Sequence, residues 1–317
     1  MISGRSLVAH VMISGAGGYV GRALLQAMKE TRHPDAITLL VRTSSADVTD
    51  LAREMNADLL DVGSLTCDAM IRRRIDAVVH LASARSSRHP EQIAASLALS
   101  ARLIAAAARA GVSKFVNASS QAVYGTLPLP WREDQAAPVT PYGLAKLASE
   151  FLCQTASDAY VSLRFCKLVG PSPAFRIEPS ELPHVCCLGA ARHQRLVIQH
   201  PEQRLDLLDV RDAASAILAV LAADERLPPV LNIGSDRSVT SQEVASIADQ
   251  CARRHFGQGL DHAFEPRRRR SARNFQMSTE LVRRALGWKP RYSLHETVDD
   301  VCRLLKSGSP AVNSSTR

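Results

Sequence analysis

Residues 11–27 read VMISGAGGYVGRALLQA, an apolar run that meets a glycine-rich turn and continues as a helical pattern. Gly15, Gly18 and Gly21 form a GxxGxxG arrangement at this junction. Glycines suit it because the turn is tight, a pyrophosphate must approach bare backbone, and the helix packs closely on the sheet. The helix start offers free amides and a partial positive charge to phosphates. A purely structural turn is the alternative, but the strand–turn–helix context favours a dinucleotide site.

The first half of the chain alternates short apolar runs with longer helical patterns, which is typical of βαβ units. The predicted strands are 8–14, 37–41, 57–60, 77–81, 115–118 and 161–165. The clearest predicted helices are 19–30, 90–110 and 142–157. Right-handed crossovers would place these helices on both faces of one sheet. The predicted fold class is α/β, a Rossmann-type doubly wound parallel sheet with a smaller C-terminal α/β substrate lobe.

The pattern changes after residue 165. Four prolines in the stretch 171–183 disfavour regular structure and predict a lid or substrate loop. Helical patterns return at 212–223, 241–255, 279–286 and 294–305, with a strand at 230–233. We predict an NAD(P)-binding Rossmann domain at 1–165 and a mainly substrate-binding lobe at 166–306. Within that lobe, residues 207–234 are predicted to return to the Rossmann domain. A flexible tail is predicted at 307–317.

Composition indicates a globular protein, since 46% of the 317 residues are hydrophobic and 22% are charged. No stretch approaches the roughly 20 uncharged apolar residues of a membrane helix, and the N-terminus lacks a cleavable signal pattern. We therefore expect a cytoplasmic protein without a membrane partner. The seven cysteines and ten histidines show neither CxxC nor HExxH spacing, so no disulfide framework and no metal site is expected.

The net charge of +8 and the arginine run at 267–270 permit three interpretations. The run is a solvated surface, it binds a phosphorylated substrate through guanidinium forks, or it binds nucleic acid. Aromatic residues for base stacking make up only 4% of the chain, which disfavours nucleic acid. The expected partner is a phosphorylated or nucleotide-linked small molecule, with no nucleic acid.

The end of the second predicted strand bears on the choice of cofactor. It reads LLVRTSS (39–45) and carries no acid to accept hydrogen bonds from the adenosine ribose. Arg42, backed by Thr43 and Ser44, suits a 2′-phosphate, which favours NADP over NAD and leaves both open. A solvent-facing charge is the alternative for Arg42. Asp61 is placed either to accept a bond from the adenine amino group or to cap a loop.

The segment YGLAK places Tyr142 and Lys146 four residues apart and hence on one face of a helix. A free phenol, with a pKa of about 10, is a poor base near neutrality. A nearby ammonium and an oxidised nicotinamide both favour the phenolate. Tyr142 then exchanges a proton with a substrate hydroxyl while the nicotinamide exchanges the hydride. Alone, this spacing also fits an ordinary surface pair.

Upstream, FVNASSQAVYG (115–125) runs from a strand into a small-residue turn at the carboxyl edge of the sheet. A serine hydroxyl there can stabilise developing charge on the reacting oxygen. Ser120 is the predicted residue, with Ser119 as the second choice. A serine that only closes a local turn is the alternative for both.

Together GxxGxxG, VVHLAS (78–83), FVNASSQAVYG and YGLAKLASE resemble the extended short-chain dehydrogenase/reductase family, in its NAD-dependent sugar-nucleotide epimerase/dehydratase branch. LRFCKLVGP (163–171), LLDVRDAASAI (207–217), LNIGSD (231–236) and ALGWKP (285–290) extend the likeness over most of the chain. The resemblance implies cofactor contacts from Gly15, Gly18, Tyr19, Val20, Gly21, Arg42, Asp61, Leu81, Ala82 and Lys146. It implies a catalytic trio of Ser120, Tyr142 and Lys146. It implies substrate contacts from Ser119, Gln121, Lys167 and Arg204, and a homodimer formed through two helices of each subunit.

Departures from the family pattern narrow the expected reaction. Gln121 and Ala122 stand where the family's dehydratases carry acids, and neither transfers a proton, so elimination of water is disfavoured. Ser96 and Lys167 stand where asparagines are common, which leaves the substrate open. We expect a nucleotide-sugar 4-epimerase or 4-ketoreductase. The alternatives are an NADPH-dependent reductase of a non-sugar carbonyl compound and a non-catalytic NAD(P)-binding sensor.

Overall fold

The computed structural model describes residues 8–32, 36–42, 46–84, 89–171, 181–265 and 273–307. Thr43 and Ser44, most of the proline-rich stretch, the arginine run at 267–270 and nearly all of the predicted tail lie outside the described residues.

A parallel sheet of seven strands forms the centre of the described structure, in the order β3-β2-β1-β4-β5-β6-β10. The strands are β1 (His10–Ser14), β2 (Ala36–Val41), β3 (Asp58–Asp61), β4 (Ala77–His80), β5 (Lys114–Ser120), β6 (Tyr160–Phe165) and β10 (Val230–Ile233). The strand order reverses between β1 and β4, and such a switch point opens a ligand-binding crevice at the carboxyl ends of the strands. The predicted α/β Rossmann-type class is confirmed.

Helices cover both faces of this sheet. They are α1 (Tyr19–Thr31), α2 (Ala46–Glu54), α3 (Cys67–Arg72), α4 (Pro90–Arg109), α5 (Pro141–Ala156) and α7 (Val210–Ala222). Helix α1 packs against α7, and α4 packs against α5. The side chains of successive residues in β1 point to opposite faces of the sheet, because a strand is pleated. Val11 and Ile13 belong to one apolar cluster, and Met12 belongs to the other.

The remaining elements build the smaller lobe. They are β7 (Lys167–Val169), α6 (Leu182–Ala191), β8 (Leu196–Gln199), β9 (Arg204–Asp209), β11 (Ser238–Thr240), α8 (Ser241–Phe256), β12 (His262–Glu265) and α10 (Leu294–Lys306). Helix α9 (Glu280–Leu286) is the exception, since it packs on β10 of the large sheet. Strands β11, β9 and β7 form one sheet, and β8 pairs with β12. Helices α6, α8 and α10 pack together around a core that contains four buried cysteines. Strand β10 and helix α7, which interrupt this lobe in the sequence, lie with the large sheet.

The prolines of the stretch 171–183 predicted a loop. Residues 172–180 of this stretch are not described, and regular structure lies on both sides of them. Strand β7 precedes the stretch and helix α6 begins within it. Pro183 lies in the first turn of α6, where a missing backbone N–H costs no helical hydrogen bond. The prediction of irregular structure was therefore wrong at Pro183.

Within the described ranges one helix, α4, is long and apolar enough to cross a membrane, judged by length and composition alone. It carries charges at Glu91, Arg102 and Arg109. Leu103 and Ile104 are buried in the cluster on one face of the sheet. One side of this helix is therefore packed inside the protein.

Candidate active site

The glycine turn after β1 excludes side chains on steric grounds. Gly15 has a φ of 77°, and a Cβ added there would lie 2.6 Å from the backbone nitrogen of Ala82. A Cβ on Gly21 would lie 2.5 Å from the carbonyl oxygen of Ala16. Both distances are far below van der Waals contact. The turn is therefore a bare-backbone cradle, and it brings the predicted contacts Leu81 and Ala82 against Gly15.

Helix α1 opens directly from this cradle. Gly18 is its N-cap and, lacking a side chain, makes no side-chain cap bond to the helix. The first turn carries no acid, so its amides and partial positive charge remain suited to an anion. Tyr19 and Val20 follow, half-buried, and the phenol of Tyr19 donates to the carbonyl oxygen of Gly170 at 2.8 Å. The cradle and the uncapped helix start fit a dinucleotide diphosphate.

A buried hydrogen-bonded chain fixes the end of β4 beside the cradle. Ser14 Oγ lies 2.6 Å from His80 Nδ1, and His80 Nε2 lies 2.8 Å from Ser100 Oγ. Burial, together with the charge of Lys146, lowers the pKa of His80 to about 3. His80 is thus neutral at physiological pH. It joins β1, β4 and α4 immediately before Leu81.

Arg42 and Asp61 lie at the carboxyl edge of the outer strands. Val41 pairs with Asp61 in the sheet, and Arg42 follows as an exposed residue. Asp61 Oδ1 accepts a hydrogen bond from the backbone nitrogen of Gly63 at 2.6 Å. This bond is the loop cap that the sequence offered as one of two roles for Asp61. The carboxylate has a further oxygen for another donor.

Tyr142 and Lys146 project from the start of α5, on the face that meets β5. Thr140 caps the helix through a 3.1 Å bond from the backbone nitrogen of Gly143. Lys146 is 9% exposed, and its Nζ donates to the carbonyl oxygen of Ala118 at 2.6 Å. The same atom lies 5.6 Å from the centroid of the half-buried Tyr142 ring. The predicted acid/base pair is thus assembled at the sheet rather than on the surface.

Electrostatics keep Lys146 near its protonation midpoint in the physiological range. Burial lowers the pKa of Lys146 from 10.5 to about 8, and the carboxylate of Glu150 acts in the opposite direction. At a pH below about 8, the Lys146 side chain is therefore mostly an ammonium. A positive charge this close to a phenol favours its ionised form.

The turn that follows β5 carries the predicted serine. Ser120 is half-buried, and its Oγ accepts a bond from the backbone nitrogen of Ala122 at 3.2 Å. A hydroxyl that accepts one bond keeps its proton for donation. A Cβ on Gly143 would lie 2.5 Å from the carbonyl oxygen of Ala122, so the start of α5 abuts this turn. The backbone therefore brings Ser120 and Tyr142 into one region.

Ser119 faces the other way. Its side chain is buried and donates to Glu150 Oε1, because successive residues of a strand point to opposite sides. The hydroxyl is engaged in the protein core, which does not suit the predicted substrate contact. Gln121 has a buried Oε1 atom without a hydrogen-bond partner within the described part of the chain.

The last two predicted substrate contacts lie on neighbouring strands of the three-stranded sheet. Phe165 pairs with Ser120 in the large sheet, and Lys167 follows it as the first residue of β7, paired with Leu207 of β9. Its Nζ bonds Glu181 Oε2 at 2.7 Å and lies 5.4 Å from the Phe275 ring. Arg204 starts β9, and its guanidinium donates to the carbonyl oxygen of Ser238 on β11 at 3.3 Å.

Comparison with known proteins gives the family. The model of the NAD dependent epimerase/dehydratase family matches residues 11–234. The chain belongs to this family. The chain is 28% identical to a UDP-glucose 4-epimerase of Azospirillum brasilense, over 96% of this chain and 93% of that protein. It is 27% identical to a dTDP-6-deoxy-L-talose 4-dehydrogenase (NAD(P)(+)) of Kitasatospora kifunensis, over 92% and 94% of the two chains.

A solved structure shares the fold of this epimerase/dehydratase. It is UDP-glucuronic acid 4-epimerase from Bacillus cereus in complex with NAD, with a TM-score of 0.79 and 18% sequence identity. The match covers 96% of this chain and 99% of that one. The resemblance drawn from the sequence motifs is confirmed at the level of the family.

Two residues that shape this site were not predicted from the sequence. His80 lies within VVHLAS, where a histidine at the end of a buried strand signals a polar network. Glu150 ends YGLAKLASE, and its spacing of four from Lys146 is the sequence signal for it. Within the described ranges, no group of three or more His, Cys, Asp or Glu side chains is placed to hold a metal ion.

Proposed function

We propose that this chain is an NAD(P)-dependent nucleotide-sugar 4-epimerase. The observation that carries the proposal is the buried Lys146, bonded to the end of β5 and adjacent to Tyr142, on the edge of the sheet where the glycine cradle lies. The names of two relatives support it, since one is a UDP-glucose 4-epimerase and a structural neighbour is a UDP-glucuronic acid 4-epimerase. We infer that the substrate is a nucleotide-linked sugar.

The residues present fit a dinucleotide. Gly15, Gly18 and Gly21 with the start of α1 would hold the diphosphate, and Leu81 and Ala82 would line the same crevice. When bound, the cofactor supplies the acceptor and donor of the hydride at the reacting carbon.

The chain's own residues manage the proton. Tyr142 takes a proton from the C4 hydroxyl at its phenolic oxygen and later returns it, acting as general base and then general acid. Lys146 holds the phenolate by its charge and is itself fixed by the carbonyl oxygen of Ala118. Ser120 donates a hydrogen bond to the sugar oxygen as charge develops there.

The turn after Ser120 explains why elimination is not proposed. Gln121 and Ala122 cannot protonate a leaving group. Oxidation and reduction at one carbon need, besides the hydride-accepting cofactor, only the tyrosine, serine and lysine. Gln121 is proposed as a substrate contact, because a buried acceptor without a partner is satisfied when a hydroxyl of the sugar donates to it.

A 4-ketoreductase is the second candidate function, favoured by Arg42. This exposed arginine follows β2 where an acid would hold the ribose of NAD, and it suits the 2′-phosphate of NADP. We propose a preference for NADP on this ground. The Kitasatospora relative, whose name includes NAD(P)(+), is consistent with it. A reductase would consume added NADPH, whereas an epimerase would turn over without net change in cofactor.

We also propose a homodimer formed by α4 and α5. Leu144, Phe151 and Leu152 are exposed on α5, at 56%, 59% and 38%. An apolar patch of this kind suits a twofold contact between helices. Light scattering of Phe151→Glu is expected to show a monomer, whereas Ile71→Glu, at an equally exposed apolar residue of α3, leaves a dimer. A monomeric wild-type protein would exclude the proposal.

The function is tested by incubating the purified protein with a panel of UDP- and dTDP-hexoses and following C4 inversion by NMR. We expect inversion of at least one sugar, and a loss of at least about a hundredfold in Tyr142→Phe, the scale of general acid–base catalysis. Absence of inversion and of NADPH-dependent reduction across the panel would refute both candidate functions.

A further inference from the structure

Three polar residues follow one another along the buried face of α5. Tyr142, Lys146 and Glu150 are spaced by four, so each lies one turn from the next. Glu150 is 1% exposed. Burying a carboxylate costs folding free energy unless the group is paired and hydrogen-bonded, so Glu150 requires partners.

Both oxygens of Glu150 are engaged. Arg164 on β6 donates through Nε at 3.0 Å to Oε1 and through a terminal nitrogen at 2.8 Å to Oε2. Ser119 at the end of β5 donates to Oε1. The carboxylate thus joins α5 to the two strands whose ends frame the proposed reacting centre, and one of its partners is the residue before Ser120.

Arg164 extends the network to the turn after Ser120. Its other terminal nitrogen donates to Tyr124 Oη at 3.0 Å and to the carbonyl oxygens of Glu133 and Gln135 at 3.1 and 2.9 Å. Tyr124 donates in turn to Asn232 Oδ1 at 2.6 Å. The position of Glu150 is therefore fixed from several elements at once.

Buried ion pairs are weak evidence for a stabilising role, because desolvation offsets their attraction. Replacing such a pair with apolar side chains is often neutral for stability. The arrangement here has a different consequence. It sets a negative charge one turn from Lys146 and fixes the backbone that carries Ser120.

The charged and titratable groups around Lys146 lie on three elements, and a fourth adds a backbone carbonyl. Tyr142 and Glu150 lie on α5 itself, and His80 lies at the end of β4. Arg164 lies behind Glu150 on β6, and β5 contributes the carbonyl oxygen of Ala118. Since His80 is neutral and Arg164 is a cation, Glu150 is the carboxylate that favours the ammonium.

We propose that Glu150 is a positioning residue for the 4-epimerase site, holding Lys146 as an ammonium through its charge and holding Ser120 in place through Ser119. The inference rests on the proposed function. It assigns two separable effects to one carboxylate, a charge effect and a placement effect, and each has its own variant.

The charge effect has a definite sign. Lys146 is protonated below its pKa of about 8, and Glu150 raises that pKa against the effect of burial. Glu150→Gln removes this opposition, so the ammonium is lost at a lower pH. Tyr142 then ionises at a higher pH, because the positive charge that favours its phenolate is gone.

The test reads Tyr142 directly in the free protein. The chain has five tyrosines, and burial raises the pKa of Tyr124 and of Tyr160 to about 12. Subtracting the near-ultraviolet titration of a Tyr142→Phe partner from that of each variant isolates the Tyr142 phenolate. We expect Glu150→Gln to move this ionisation to higher pH and to lower kcat about tenfold at neutral pH, the equivalent of one pKa unit. KM and cofactor Kd are expected to stay within about twofold.

The placement effect is tested by Ser119→Ala, which keeps the ion pair. It is expected to lower kcat severalfold without moving the Tyr142 ionisation. If Glu150→Gln does not fold, Glu150→Gln with Arg164→Met removes both charges and leaves no unpaired guanidinium. The same shift of the Tyr142 ionisation is expected in that double variant.

Two results would overturn the inference. The first concerns the charge variants: their Tyr142 titration and their pH–kcat profile coincide with those of the wild type, and only Tm falls. Glu150 would then have a purely structural role. The second is a wild-type kcat in both single variants, Ser119→Ala and Glu150→Gln. A wild-type protein that turns over no sugar refutes the proposed function instead, and the Tyr142 titration still reports on Glu150 in that case.

Discussion

Lys146 Nζ donates to the carbonyl oxygen of Ala118 at 2.6 Å, and this bond ties the helix that carries Tyr142 to the strand that carries Ser120. The lysine is buried, so the bond is made away from bulk water. The i, i+4 spacing places Tyr142 and Lys146 on one face of α5, and the bond to Ala118 turns that face towards the sheet.

The pH dependence of activity should report Lys146. Its pKa lies at about 8, so the ammonium is present below that value and lost above it. We expect kcat/KM, which reflects groups of the free enzyme, to fall on the alkaline side with an apparent pKa of about 8. Initial rates of C4 inversion between pH 6 and about pH 10 measure this. A flat profile over that range would separate Lys146 from the reaction.

The glycine cradle should not tolerate a methyl group. Gly15→Ala forces an alanine to a φ of 77° and places its Cβ 2.6 Å from a backbone nitrogen. We expect a loss of cofactor binding of at least about tenfold and a stability loss of about 1–3 kcal/mol from the strained backbone alone.

Gly257→Ala is the matched control for the cradle. Gly257 has a φ of 75° at the end of α8, and nothing lies within 4 Å of the added Cβ. It should share the backbone strain and keep cofactor binding. Titration calorimetry with NADH and NADPH measures both variants. Equal cofactor affinity in the two would show that the cradle does not hold the diphosphate.

Arg42 should discriminate between the two dinucleotides. Because a charge-assisted hydrogen bond to a phosphate contributes about 1.5–3 kcal/mol, Arg42→Gln is expected to weaken NADPH at least about tenfold. NADH affinity should be unchanged. Arg226→Gln, at an exposed arginine after α7, is the control. Parallel losses for NADH and NADPH in Arg42→Gln would rule out a specific 2′-phosphate contact.

Acid should destabilise the protein in part through His80. Its pKa is about 3 when folded and 6.5 in a free side chain. The unfolded chain therefore binds more protons between those values, so the free energy of unfolding falls as the pH drops from 6.5 towards 3. The slope from one such group reaches at most about 1.4 kcal/mol per pH unit.

His80→Gln tests this contribution, since glutamine keeps a donor and an acceptor for Ser14 and Ser100 but does not titrate. Urea unfolding at pH values between 6.5 and 4 should give a shallower dependence than in the wild type. Identical slopes would mean that His80 is already solvated or charged in the folded protein. His184, whose pKa burial lowers to about 4, adds a slope of the same sign in both proteins.

The large sheet was predictable because its strands repeat a strong local pattern. Each predicted strand overlaps an observed one, and the strand at 230–233 has the predicted bounds. The smaller lobe was harder, since its short strands β7, β8 and β11 pair with distant segments rather than with a βαβ neighbour. Local patterns carry little information about such pairing.

The candidate site was predictable as a set of residues and less so as a set of contacts. The spacing of Tyr142 and Lys146 gave the shared helix face. The alternation of a strand predicts that Ser119 and Ser120 point apart, but not which of them faces the cleft. The pairing of Glu150 with Arg164 depends on how α5 packs on β6, which no local spacing expresses.

The most direct test of the proposed 4-epimerase mechanism is the fate of the hydrogen at C4 during inversion of a UDP-hexose in D₂O, followed by NMR. We predict inversion that retains the original hydrogen at C4, because the hydride is removed and returned while Tyr142 exchanges only the hydroxyl proton. We also predict that Tyr142→Phe does not invert the sugar at a comparable rate. Deuterium at C4, or wild-type turnover by Tyr142→Phe, would contradict this mechanism.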